Sequence, residues 1–113
     1  MKIQFDMRNG VGVAAPNGPV TAATVEAFRE QFLGWMQGAN APVNVVADLM
    51  HVDFIDSSGL GALIALLKRI TERGGDLKIA RLQGKVRLVF EITRAYKVFD
   101  IFDSVEEAEK ACH

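Results

Sequence analysis

Residues 2–16 read KIQFDMRNGVGVAAP, and the order of the elements turns on the Asn9-Gly10 pair within them. Ile3, Phe5 and Met7 alternate with Lys2, Gln4, Asp6 and Arg8, the period-two pattern of a strand with one buried face. Asn9-Gly10 follows. Both residues tolerate positive φ, so the pair is a strong hairpin signal. VGVAAP then returns as a second strand, expected to stop at Pro16. The chain opens with a β-hairpin and not with β-then-α.

Working outward, NGPVTAATVEAFREQFLGWMQG reads as a helix. Thr21 or Thr24 is placed to cap it, and Val25, Phe28, Phe32, Trp35 and Met36 fall on one face. Gly38 and ANAP end it. VNVVADL is a short β-branched run, the pattern of a strand buried on both faces. Beyond residue 58, Leu60, Leu63, Ile64, Leu67 and Ile70 form a second helix face. Lys68, Arg69 and Arg73 lie late in that helix, where cations suit the negative end of the macrodipole, and Gly74-Gly75 closes it. DLKIA is a further strand. QGKVRLVFEI is a helix with Val86, Val89 and Phe90 inward, KVFDIF is a last strand, and Ser104 with Glu107 forms a capping box that opens a final helix. The order β-β-α-β-α-β-α-β-α predicts an α/β fold with a mixed sheet, helices packed on it and right-handed crossovers. Residues 1–113 are expected to form a single domain.

Composition narrows the function classes. The chain has 113 residues, is 50% hydrophobic and 24% charged, and carries a net charge of −1. That balance suits a soluble globular domain and gives no field to attract nucleic acid or anionic lipid. No apolar stretch is long enough to span a bilayer, and MKIQFDMRNG has no apolar signal core. The single cysteine, Cys112, leaves no internal disulfide. A cytoplasmic setting is expected.

The chemistry concentrates in residues 53–61, DFIDSSGLG. A hydrolase elbow wants G-x-S-x-G, but Ile55 stands where the first glycine should be. The available histidines are His51, a loop residue beyond a strand, and His113 at the last position, so no triad is supported. A phosphate loop is not present, and Gly59-Leu60-Gly61 departs from the dinucleotide pattern at Ile64. Aspartyl phosphorylation at Asp48, as in a receiver domain, is a rival. It needs Mg²⁺ held by an acidic pair after the first strand, where only Asp6 is found. Asp48 is instead expected to cap its strand end or bond the following loop. No metal or cofactor is called for. Modification of a serine remains. Asp56 or Ser57 is placed as the N-cap of the second helix, and Gly59 and Gly61 in its first turn cost about 1 kcal/mol each relative to alanine. Glycine there allows another backbone or a partner to approach closely. A phosphate would meet the positive end of the helix dipole.

DFIDSSGLGALIALLKRITERGG closely resembles the signature of STAS domains, specifically the bacterial anti-sigma factor antagonists. In that family D-S-[ST]-G-L-G opens the second helix, and the first serine is phosphorylated by a partner kinase. The opening hairpin and VFDIFDSVEEAEKA fit the same pattern. Two positions depart from it: Thr21 stands where the family often has aspartate, and Thr93-Arg94-Ala95 replaces a T-G-L turn.

The resemblance implies a STAS fold and a protein that works by binding rather than catalysis. Unphosphorylated, it would dock an anti-sigma factor serine kinase. It would be released on phosphorylation of Ser57, with Ser58 the second choice, and a serine phosphatase would reset it. Asp56, Ser57, Ser58, Gly59, Leu60 and Gly61 would form the partner surface, with Leu60 equally a core residue. The alternatives are a STAS scaffold subunit of a sensory or lipid-transport complex without phosphorylation, and the receiver-like phosphoacceptor at Asp48.

Overall fold

A computed structural model describes residues 1–112. The hairpin pairs β1 (Lys2–Arg8) with β2 (Val11–Asn17) antiparallel, in register from Lys2↔Asn17 to Arg8↔Val11. Asn9 and Gly10 both take positive φ, 52° and 82°, as the tight turn requires. Strand β2 does not stop at Pro16. Gly12 N–H donates to Asn44 O at 2.9 Å, so alternate residues Gly12, Ala14 and Pro16 turn their nitrogens away from β1. The pairing of β2 with the next strand ends at Ala14↔Ala47. The missing N–H of Pro16 therefore falls where no ladder bond is due.

The remaining elements are α1 (Val25–Met36), β3 (Val45–Asp48), α2 (Ser57–Glu72), β4 (Leu77–Ala80), α3 (Gly84–Ile92), a 3₁₀ turn (Ala95–Lys97), β5 (Asp100–Phe102) and α4 (Val105–Ala111). The strands lie in the order β1-β2-β3-β4-β5. β3, β4 and β5 join in parallel, giving the expected mixed sheet. The last strand is shorter than KVFDIF. Arg94 takes a left-handed conformation at φ 60°, and Ala95–Lys97 winds into the 3₁₀ turn before the chain extends.

The two sheet faces bury different helices. Ala14, Val45, Ala47, Leu77 and Ile79 join Phe28 and Phe32 of α1, Leu63 and Ile70 of α2 and Phe90 of α3 in the main core. Phe5 meets Phe32 edge-on at 5.5 Å between ring centroids. On the opposite face, Val11, Val46 and Ala80 pack against Ala108 of α4. Helix α2 ends in a paired cap: Gly74 N–H donates to Thr71 O and Gly75 N–H to Ile70 O, both at 3.0 Å. Neither Thr21 nor Thr24 caps α1 by its side chain. Thr24 occupies the cap position, but its hydroxyl donates to Pro19 O at 2.8 Å and accepts from Thr21 N–H at 3.0 Å. Ser104 does cap α4, accepting from Glu107 N–H at 3.1 Å.

Among the described residues, the charges buried on the α4 face are all paired. Glu109 receives Arg8 Nε at 3.0 Å and the Asn9 side-chain amide, fastening α4 to the hairpin tip. Lys78 Nζ lies 2.6 Å from both Asp76 and Asp100. Burial acts to lower the Lys78 pKa, but the hydrogen bonds to Asp100 and Asp76 outweigh it and hold the ammonium above its usual value. For the neutral-acid Cys112 the same burial works the other way and pushes the thiol up.

Candidate functional site

The loop from β3 to α2 is fixed by burial of every third residue. Leu49, Val52 and Ile55 point into the core, each no more than 1% exposed. The segment after β2 runs beside it. Gly18 N–H donates to His51 O at 2.9 Å, Val20 N–H to Phe54 O at 3.0 Å, and Asp56 N–H to Val20 O at 3.3 Å. Val20 and Ile55 form a parallel bridge. The start of α2 is thereby tied to the start of α1, through backbone groups that either segment alone would leave unpaired.

Asp56 completes this junction. As N-cap of α2 it accepts Gly59 N–H on Oδ1 at 3.0 Å, while Oδ2 accepts Ala22 N–H at 3.0 Å. These two bonds, Gly59 first and Ala22 second, hold its carboxyl below the ordinary aspartate value. The cap is made by Asp56, so neither serine is needed for it. Ser57 is exposed at the first helical position and Ser58 is half-buried.

The two glycines of the first turn have different roles. A Cβ on Gly59 would stand 2.1 Å from Val20 O and 2.8 Å from Ile55 Cγ1. Its close approach is to the chain's own backbone. Gly61 is exposed, with nothing within 4 Å of the Cβ position. Leu60 is 7% exposed and packs in the main core. Of the six residues expected at a partner surface, Gly59 and Leu60 therefore face inward. Ser57 and Gly61 face out, with Ser58 and Asp56 at the edge.

Sequence reasoning missed two neighbours. Phe54 and Met50 are 47% and 44% exposed on the loop leading into Ser57. Phe54 is held outward because Val52 and Ile55 on either side are buried. Met50 is held by its carbonyl, which accepts from Gln83 Nε2 at 2.6 Å. The spacing of three from Leu49 to Val52 to Ile55, which leaves Phe54 between buried positions, was the available signal. Exposure of the phenylalanine is legible only once Val52 and Ile55 are known to be core.

Asp48 faces the other way. It shares the parity of Val46 and so lies on the α4 side. Arg81 grips it with Nε at 3.0 Å from Oδ1 and Nη2 at 2.6 Å from Oδ2. The pair holds the Arg81 guanidinium above its ordinary value. Asp48 also accepts Met50 N–H at 3.2 Å, the loop bond expected of it. Both carboxylate oxygens are occupied by a fixed cation, in place of the acidic neighbours that Mg²⁺ would need. His51 is an exposed loop residue, and His113 lies outside the described residues. No helix among the described residues is long and apolar enough to cross a membrane.

A five-stranded mixed sheet led by a hairpin, with three helices on one face and a capped, serine-bearing α2, defines a small α/β domain whose exposed chemistry is at a helix start. The family model for the STAS domain matches residues 2–108, and the chain belongs to that family. BtrV of Bordetella bronchiseptica, named as a candidate anti-sigma factor antagonist, is 30% identical over 98% of this chain and 94% of its own. Among solved structures, an anti-sigma-factor antagonist (STAS) domain protein from Planctomyces limnophilus is similar with a TM-score of 0.83 at 26% identity, over 97% of both chains. The Bacillus cell fate determinant SpoIIAA, solved in its phosphorylated form, shares the fold with a TM-score of 0.72 at 18% identity, over 99% of this chain and 100% of that one. The chain's homologues are thus anti-sigma factor antagonists.

Proposed function

We propose that this chain is an anti-sigma factor antagonist that works by partner switching. Unphosphorylated, it docks an anti-sigma factor that is also a serine kinase, through the surface made by Ser57, Ser58, Gly61, Phe54 and Met50. Gly59 and Leu60 set the backbone from beneath. The kinase transfers a phosphoryl group to Ser57, the complex parts, and a serine phosphatase restores the hydroxyl. The chemistry belongs to the partners. A serine hydroxyl is a weak nucleophile without an adjacent base, and phosphoryl transfer needs bound metal and positioning.

The observation that carries this reading is the division of labour at the start of α2. Asp56 supplies the cap, which leaves the exposed Ser57 hydroxyl free to be modified without unwinding the helix. A phosphate adds about −1.5 to −2 charges. Beside the unpaired N–H groups of the first turn that charge is tolerated in the free domain. Inside a docked, apolar-edged surface it must be desolvated, and a change of about 3 kcal/mol weakens binding roughly a hundredfold.

The test is phosphosite mapping after incubation with the kinase and ATP. Acid-stable phosphate on Ser57, absent from Ser57→Ala and retained in Ser58→Ala, is the expected result. Phosphate confined to Ser58, or an acid-labile phosphate on Asp48, would overturn the assignment.

A further inference from the structure

The outer face of α3 and the turn that follows it carry an apolar row that the rest of the chain leaves open. Leu88, Ile92, Tyr96 and Val98 are 53%, 74%, 49% and 53% exposed. Leu88 and Ile92 are four residues apart and share a side of the helix. Among the described residues, half of the exposed large apolar side chains therefore lie between residues 88 and 98, a concentration that marks a contact surface more than scattered singles do. A cleft of about 410 Å³ opens between α3, the 3₁₀ turn and β5, lined by Arg87, Phe90, Glu91, Tyr96 and Ile101.

Charge gives the face a sign. Lys85, Arg87, Arg94 and Lys97 belong to this stretch, against Glu91 within it and Asp100 and Asp103 on and just after β5, in a chain whose net charge is −1; Asp100 is already paired with Lys78. Arg87 lies 3.7 Å from Asp103. The other three cations make no ion pair among the described residues.

The backbone beside the cleft is also open. β5 is an edge strand. Arg81 N–H donates to Phe102 O at 3.0 Å, so Phe102 and Asp100 turn their peptide groups toward β4, and Ile101 turns its N–H and C=O outward. The opposite edge is treated differently. On β1, Ile3 N–H donates to Gln31 Oε1 and Met7 N–H to Asp6 Oδ1, the kind of side-chain blocking that discourages strand addition.

We propose that the β5 edge and the α3 face together form a docking site for an extended, acidic segment of a partner protein. The segment adds a strand against Ile101, seats an apolar side chain in the cleft, and sets its carboxylates against Lys85, Arg94 and Lys97. Strand addition supplies affinity through the backbone, and the cleft and cations supply selectivity. A concave cleft beside a free strand edge suits a peptide; a bilayer has neither a strand to pair nor a side chain to fill it. The site uses no residue of the Ser57 surface.

The test is an amide-resolved NMR titration of the full chain with a short capped peptide of alternating glutamate and leucine. A lysine–leucine peptide and phosphatidylglycerol vesicles are run in parallel. Saturable shifts at Tyr96, Ile101 and Phe102 are expected. They should weaken at least about tenfold in the Lys85→Glu, Lys97→Glu double variant and stay unchanged in Ser57→Asp. Both substitutions are at exposed positions, and the dispersion of the spectrum reports folding directly. No shift, shifts confined elsewhere, or equal binding of the lysine–leucine peptide would overturn the proposal. Vesicles that engage this face in preference to the acidic peptide would replace it with a membrane contact.

Discussion

Gly59 and Val20 meet backbone to backbone: a single added carbon on Gly59 would lie 2.1 Å from the Val20 carbonyl oxygen. This contact, with the bridge between Val20 and Ile55, locks the start of α2 to the segment leading into α1. Gly59→Ala must push that carbonyl away. Helix propensity returns about 1 kcal/mol, but overpacking a fixed backbone costs roughly 1–3 kcal/mol, so a net loss is expected. Gly61→Ala meets nothing and should stabilise the free domain by up to about 1 kcal/mol. Denaturant melts of the two variants should move in opposite directions. A stabilised Gly59→Ala would contradict the packing account.

Asp56 predicts a pH signature. Its carboxyl is held below the usual value by Gly59 N–H and then Ala22 N–H. A depressed folded pKa stabilises fully above the unfolded value, near about 4, and that contribution fades as pH falls through the lower folded value. Asp56→Asn also turns an N–H donor toward one of the two amides. The variant should melt lower than wild type at pH 7, and the gap should narrow as pH drops below about 4. Thermal melts across that range check it; a constant gap would remove the ionised carboxylate from the junction.

Arg81 combines an ion pair with an unfavourable backbone. It holds the buried Asp48 with two bonds at φ 58°. Arg81→Ala leaves that carboxylate without its cation. The arginine is partly solvent-exposed, so the loss should lie at the low end for a broken buried pair, about 3 kcal/mol. Arg81→Gly loses the same pair but relieves the left-handed strain, and should be about 1 kcal/mol more stable than Arg81→Ala. Equal stability of the two variants would mean that the backbone strain is absorbed elsewhere.

Local signals carried most of the fold. Asn9-Gly10 names a turn because its conformational demand lies in two adjacent residues. Asp56 and Ser104 were legible as caps because each serves an amide three residues on. Features built from distant residues were not legible. Asp48 and Arg81 are 33 positions apart, and no spacing rule couples the end of β3 to the residue after β4. The burial of Lys78 and Glu109 depends on α4 closing over a sheet face that the strand pattern alone leaves unassigned. Pro16 misled for the same reason, since its tolerance depends on where β3 stops. At the site, the serine and its cap could be read from the string. The inward turn of Gly59 and Leu60 and the outward turn of Phe54 required the Val20 bridge.

Phe54 should matter to binding and little to folding. Phe54→Ser removes a half-exposed ring, and the free domain should stay within about 0.5 kcal/mol of wild type. If the ring is covered on docking, the kinase complex should weaken by about 1 kcal/mol or more. Paired stability and affinity measurements separate the two effects, and an unchanged affinity would place the partner surface elsewhere.

The most direct measurement is calorimetric titration of the kinase with wild-type chain and with Ser57→Asp, beside thermal melts of both. The aspartate carries one charge where phosphate carries nearly two, so it mimics the modified state in part. The melting temperature should stay near that of wild type, and the affinity should fall at least about tenfold, equivalent to about 1.4 kcal/mol. Unchanged affinity would take Ser57 out of the interface. A collapse of the melting temperature would replace charge at a docked surface with local unfolding as the switch.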